Sequence, residues 1–164
     1  MIKKLVLILL ALCVVFFMIG CDDGGSGGGG ENERGTGAFI VSDMVPSGIV
    51  EITPVPGKGI KFTQGGIEFE IHVSLTLDDN GTFTSVEKLW MDGVKQIDSE
   101  FTGTWDQSGS TINTHAKSEK DNMAGTTNPI DPPDDESFTV SDGGNTLTED
   151  VQDPLLPARL VLKK

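Results

Sequence analysis

Two thiols, two imidazoles and a scatter of carboxylates are the groups in this chain that could do chemistry. Cys21 stands between a greasy run that ends at Gly20 and the string "DDGGSGGGGE" that begins at Asp22, a setting for modification of a thiol rather than for pairing. Cys13 lies inside the greasy run, directly after bulky Leu12. His72 and His115 have no metal-ligand spacing and no Cys or acid that the pattern puts in register, so two surface histidines are expected and no metal site. Glu68 and Glu70 share one face of a strand, where solvation explains a pair of acids. The chain has no Gly-x-Ser-x-Gly elbow and no phosphate-binding loop. It reads as a non-enzyme without a cofactor.

What surrounds Cys21 gives it a role. Lys3 and Lys4 form a short basic start, and the 15 residues from Leu5 to Ile19 carry no charge. That run is short of the ~20 residues a helix needs to span a bilayer. With small Gly20 at its end, residues 1–20 read as a secretory signal peptide. The sequence "MIGC" at 18–21 resembles the lipobox of bacterial lipoproteins, with Met18 where Leu is usual. The resemblance implies that the Cys21 thiol receives a diacylglycerol group, that the segment before it is removed, and that the new amino terminus is acylated. Several acyl chains on one residue anchor a protein stably, where a single chain is marginal. On this reading Cys13 leaves with the signal and Cys21 is consumed by lipid, so no disulfide remains to stabilise the mature head.

Residues 21–37 are then the lipidated Cys and a tether, since "DDGGSGGGGENERGTG" has no apolar periodicity to offset the entropy of ordering. Sixteen such residues make a coil with an r.m.s. reach of roughly 20 Å and a full stretch of about 55 Å. Asp22 and Asp23 fit an inner-membrane retention signal, a surface-export signal or a plain soluble linker, and the sequence leaves these open. A formal charge of −13 excludes nucleic acid and a broad contact with anionic lipid, which both need clustered Lys and Arg. The membrane connection is therefore covalent, and the head lies on the periplasmic or cell-surface side of the envelope.

Residues 38–164 form the head, and their period is two. In "IEFEIHVSLTLD" at 67–78 the apolar and polar residues alternate without a break, as in an antiparallel strand with one dry and one wet face. "DDNG" at 78–81, "DG" at 92–93 and "DQSG" at 106–109 mark turns between such runs. "AFIVS", "GIVEIT" at 48–53, "GIKFTQ", "STINTHAK", "SFTVS", "TLTEDV" and "ARLVLKK" add further strands, eight to ten in all. Strands that follow one another through tight turns make a meander. Closing it into a barrel removes its unpaired edges, which predicts an all-β, up-and-down antiparallel barrel of about eight strands.

The order "SLTLDDNGTFT", "FTGTWDQSGSTI", "FTVSDGGNTLTEDV", "ARLVLKK" resembles the lipocalin-like domains of bacterial lipoproteins over about residues 70–164. The resemblance implies an up-and-down barrel and names no substrate. Glu149-Asp150 departs from it, because such domains prefer apolar residues there. Candidate ligand-facing residues in the barrel interior are Phe69, Ile71, Val73, Phe83, Phe101, Trp105 and Phe138, with Leu75, Leu89, Val140, Leu147 and Leu160 also inward. A barrel of this size either fills with side chains or holds one small molecule. Two functions follow: a non-catalytic module binding a small apolar ligand, or a filled barrel engaging another envelope protein as an accessory or inhibitor. In either case the head is taken as a monomer.

The stretch "SEKDNMAGTTNPIDPPDDESF" at 118–138 reads as a long acidic loop. Asp131, Asp134, Asp135 and Glu136 offer the oxygen ligands calcium prefers, but their spacing matches no EF-hand. A mobile rim over the barrel mouth is the preferred reading.

Overall fold

A computed structural model describes residues 35–46, 53–64, 66–151 and 158–164. Ten strands follow one another: β1 Gly37–Pro46, β2 Thr53–Val55, β3 Gly59–Gln64, β4 Ile67–Leu77, β5 Thr82–Met91, β6 Val94–Ser108, β7 Thr111–Asp121, β8 Thr126–Ser141, β9 Thr146–Val151 and β10 Ala158–Lys163. Neighbours in sequence pair antiparallel from β2 to β10, and β1 pairs with both β10 and β4. Strands β4 to β10 and β1 thereby close an eight-stranded barrel of lipocalin-like architecture, as the alternation predicts. The remaining two strands are a flap on its side. β1 covers Ser74–Leu77 of the β4 edge and β3 covers Ile67–Ile71, with β2 outside β3. Of the predicted strand "GIVEIT", only Thr53 lies within the described residues, where it opens β2.

Local chemistry sets the turns. Asp92 and Gly93 both have positive φ, the pair of left-handed residues that a two-residue hairpin turn requires. In the Asp78–Gly81 turn, the Gly81 N–H donates to the Asp78 carbonyl at 3.0 Å and the Thr82 N–H to Asn80 Oδ1 at 2.9 Å. Gly103 matters for a different reason: a Cβ there would overlap the carbonyl oxygen of His115 and come within 2.9 Å of the Phe83 ring.

The core is the inside of the barrel. Phe39, Phe69, Phe83, Phe101 and Phe138 are fully buried, among Ile60, Ile71, Val73, Leu75, Leu89, Ile112, Leu147 and Leu160. Each such side chain contributes about 1.5–3 kcal/mol by leaving water.

The predicted loop at 118–136 is not a loop. Residues 118–121 complete β7, residues 122–125 make the turn, and 126–136 belong to β8. The prolines are compatible with this because the far side of β8 there has no neighbour among the described residues, and an edge position needs no N–H from Pro. Between Ala116–Asp134 and Ser118–Pro129 the register jumps, so Ile130–Pro133 bulge out of the ladder, and Ile130 packs on the core.

Candidate functional site

Alternation along each strand decides what reaches the barrel axis. Phe69, Ile71 and Val73 on β4, Phe83 on β5, Phe101 on β6 and Phe138 on β8 point inward and belong to one buried cluster. Trp105 does not join them at the centre. The extra residue at the register shift opposite Thr102 and Gly103 is Lys117 on β7, not a residue of β6, so Trp105 keeps the inward parity of Phe101 and packs half-buried at the margin of that cluster. Its indole N–H donates to the Asp78 carbonyl at 2.9 Å, which fixes the ring against the β4–β5 turn.

An open depression of about 390 Å³ lies beside that ring, with Thr36, Asp79, Asp106 and Gln107 among its walls. Several of its polar groups are already committed to the fold. Gln107 Oε1 accepts the Gly35 N–H at 3.1 Å while Gln107 Nε2 donates to the Gly109 carbonyl at 2.9 Å. Such a depression is the joint where the chain enters the barrel.

The same parity brings acids inside. Glu87, Glu136 and Glu149 are 2 %, 3 % and 4 % exposed, and Ser85, Ser99 and Thr114 face inward with them. Burying an ionised carboxylate costs several kcal/mol unless it is matched, and none of the three glutamates is without a partner. Thr114 lies opposite Glu136 in the ladder, and its hydroxyl oxygen makes no hydrogen bond. The signal was present in the sequence. Phe83-x-Ser85-x-Glu87-x-Leu89 and Glu136-x-Phe138-x-Val140 carry these acids in phase with apolar residues, and Glu149 is two residues past Leu147.

The calcium-type acids do not converge. Asp135 points outward and Glu136 inward, and no three His, Cys, Asp or Glu side chains among the described residues are arranged to hold a metal ion.

Both histidines have acidic partners, against expectation. On the outside of β4, His72 Nε2 is 2.6 Å from Glu70 Oε1, and its ring lies 4.5 Å from that of Trp90. The Lys61 ammonium donates to Glu70 Oε2 at 2.9 Å and holds that carboxyl below its ordinary range, with the His72 hydrogen bond adding to the effect. Lys95 sits over the other side of this group, 5.4 Å from the Trp90 ring centre.

His115 is gripped from two strands. Its Nδ1 is 2.7 Å from Asp135 Oδ1 on β8 and its Nε2 is 2.9 Å from Asp106 Oδ2 on β6. Hydrogen bonding to Asp106, then to Asp135, raises the His115 pKa above its ordinary value. The His115 contact, and the Asn113 amide at 3.1 Å from Asp106 Oδ1, lower the Asp106 pKa. Register alone makes this possible: Asp135 is directly opposite His115, and Asp106 is opposite Asn113, one step along the same outer face. The arrangement ties β6, β7 and β8 together across their outer face.

The chain matches no protein family, no curated protein and no solved structure. Fold and site together define a closed, eight-stranded, lipocalin-like barrel with a densely packed interior and a polar, hydrogen-bonded exterior.

Proposed function

We propose that this protein is a lipoprotein of the bacterial cell envelope, anchored through lipid on Cys21, whose barrel is a non-catalytic module that engages another envelope protein through its outer surface. The observation supporting the outer-surface reading is the state of the interior. A pocket that holds a small apolar molecule leaves accessible area on its walls, whereas the apolar side chains of the buried cluster are 0–5 % exposed, with Ile97, Trp105 and Ile130 partly exposed at its margin. Phenylalanine rings and branched aliphatic chains make up most of that cluster, with Glu87, Glu136 and Glu149 also buried. A small head without a disulfide needs that apolar volume for its own stability.

The test uses residues 22–164 expressed without lipid, examined by native mass spectrometry and by organic extraction of the same sample. The expected result is a clean apo mass with no uptake of an environment-sensitive apolar dye. A stoichiometric apolar molecule that co-purifies would overturn the filled-barrel reading and make the small-ligand carrier primary. The anchor has its own test in the full chain. Cys21→Ser should abolish incorporation of labelled palmitate and release the head from membranes, and persistent labelling would refute it.

A further inference from the structure

We propose that residues 126–137 of β8 form a strap on the barrel wall, latched from outside by Asp135–His115–Asp106 and loosened when His115 gives up a proton. Support for the strap comes first from its neighbours. β7 flanks β8 along its length, but β9 meets it only at Thr139–Thr148, Val140–Leu147 and Ser141–Thr146. Among the described residues, the backbone of β8 from Thr126 to Phe138 is therefore paired in the sheet with β7 alone. Even that ladder is interrupted, because Ile130–Pro133 stand outside it. Pro129, Pro132 and Pro133 have no N–H with which to strengthen it.

The latch compensates on the outer face. Both ring nitrogens of His115 face carboxylate oxygens, at 2.7 Å and 2.9 Å. An ionised carboxylate only accepts, so each nitrogen must donate, and an imidazole has two N–H groups only as the cation. Loss of one proton leaves a lone pair facing an anion, and one of the two contacts turns from attractive to repulsive. A second, uncharged tie runs beside it: the Ser137 hydroxyl donates to Asn113 Oδ1 at 2.9 Å, and the Asn113 amide donates to Asp106.

The charged groups around His115 are few. β6 contributes Asp106 and β8 contributes Asp135. On β7 itself Lys117 is the next charged residue, and it is exposed. Asp134 and Glu136 alternate to the inner side, with Asp134 opposite buried Ala116 and Glu136 opposite buried Thr114. The two carboxylates raise the pKa of His115, so the latch is closed in mild acid and opens as pH rises past that raised value. Opening would uncover the wall beside Glu136 and Phe138 sideways, leaving the β4–β5 ladder intact.

Hydrogen exchange read by mass spectrometry on residues 22–164, from pH 6 to pH 9 with intrinsic rates divided out, tests the strap. Peptides from 126–137 should exchange roughly two- to five-fold faster, relative to peptides from 69–77, once His115 has titrated; this is the scale of one partly exposed charged contact. His115→Gln should remove that step. A step that survives the substitution, or one shared equally by β4, overturns the proposal. Should His115→Gln fail to fold, NMR of the unmodified head decides instead. Strap amides must then titrate with the His115 imidazole midpoint, and amides indifferent to it refute the latch.

Discussion

The β4–β5 wall and the β8–β9 seam enclose the same core but are built in opposite ways. Along β4 and β5 the register runs unbroken from Phe69–Met91 to Leu77–Phe83, and the inward residues of β4 are all apolar. At the seam the strands part after Thr139–Thr148, and just past that point Glu136 and Glu149 face inward from β8 and β9. The lesson concerns division of labour. One wall is apolar along the whole inward face of β4 and packs at full density, with only Ser85 and Glu87 of β5 set among its inward residues. The other has a broken ladder, and contacts on its outer face tie it together.

The difference can be broken most forcefully from the dry side. Phe83→Ala should cost about 3–5 kcal/mol in urea unfolding, the usual penalty for emptying a buried aromatic site. A loss under about 1 kcal/mol would mean that the wall is not where stability resides. Gly103→Ala comes next, since its Cβ must displace the His115 backbone or the Phe83 ring. It should cost roughly 1–3 kcal/mol through overpacking, read as a fall in the urea midpoint.

On the seam side the expected effects are smaller and depend on pH. The folded-state pKa of His115 is raised from 6.5, so its contribution is whole below that value and fades as pH rises through the higher one. Asp106 is lowered from 3.8, so its share is present above that value and disappears as pH falls through the lower one. The melting temperature should therefore be best supported between these limits, and His115→Gln should flatten the alkaline side. An identical profile in the variant would remove His115 from the account. Pro129→Ala should leave stability within about 0.5 kcal/mol. Because it restores an N–H to a stretch of β8 with no second neighbour among the described residues, it should increase self-association seen by light scattering.

Much of this was legible in the sequence because strands with one dry face announce themselves by alternation. The Asp92-Gly93 and Asp78–Gly81 turns were equally plain. Residues 118–136 read as a loop because prolines and acids signal one unless the strand is known to lie at an edge, and edge status is a property of the neighbours. Trp105 has the inward parity that its spacing from Phe101 predicts, but it packs at the margin of the cluster and is only half-buried. The partners of His115 could not be found at all without register, since Asp106 and Asp135 reach it only after three strands align. Glu149 was visible as a departure from the lipocalin-like pattern, but its burial follows from β9 facing the core.

The closure of the barrel through β1 has a kinetic meaning as well. Val41 pairs with Leu162, so the first and last strands of the head must meet before any edge disappears. Folding dominated by such remote pairings is slow, on the order of milliseconds to seconds. A chain made from its N-terminus therefore cannot complete this barrel until β10 has emerged, so the strands made before it wait unclosed.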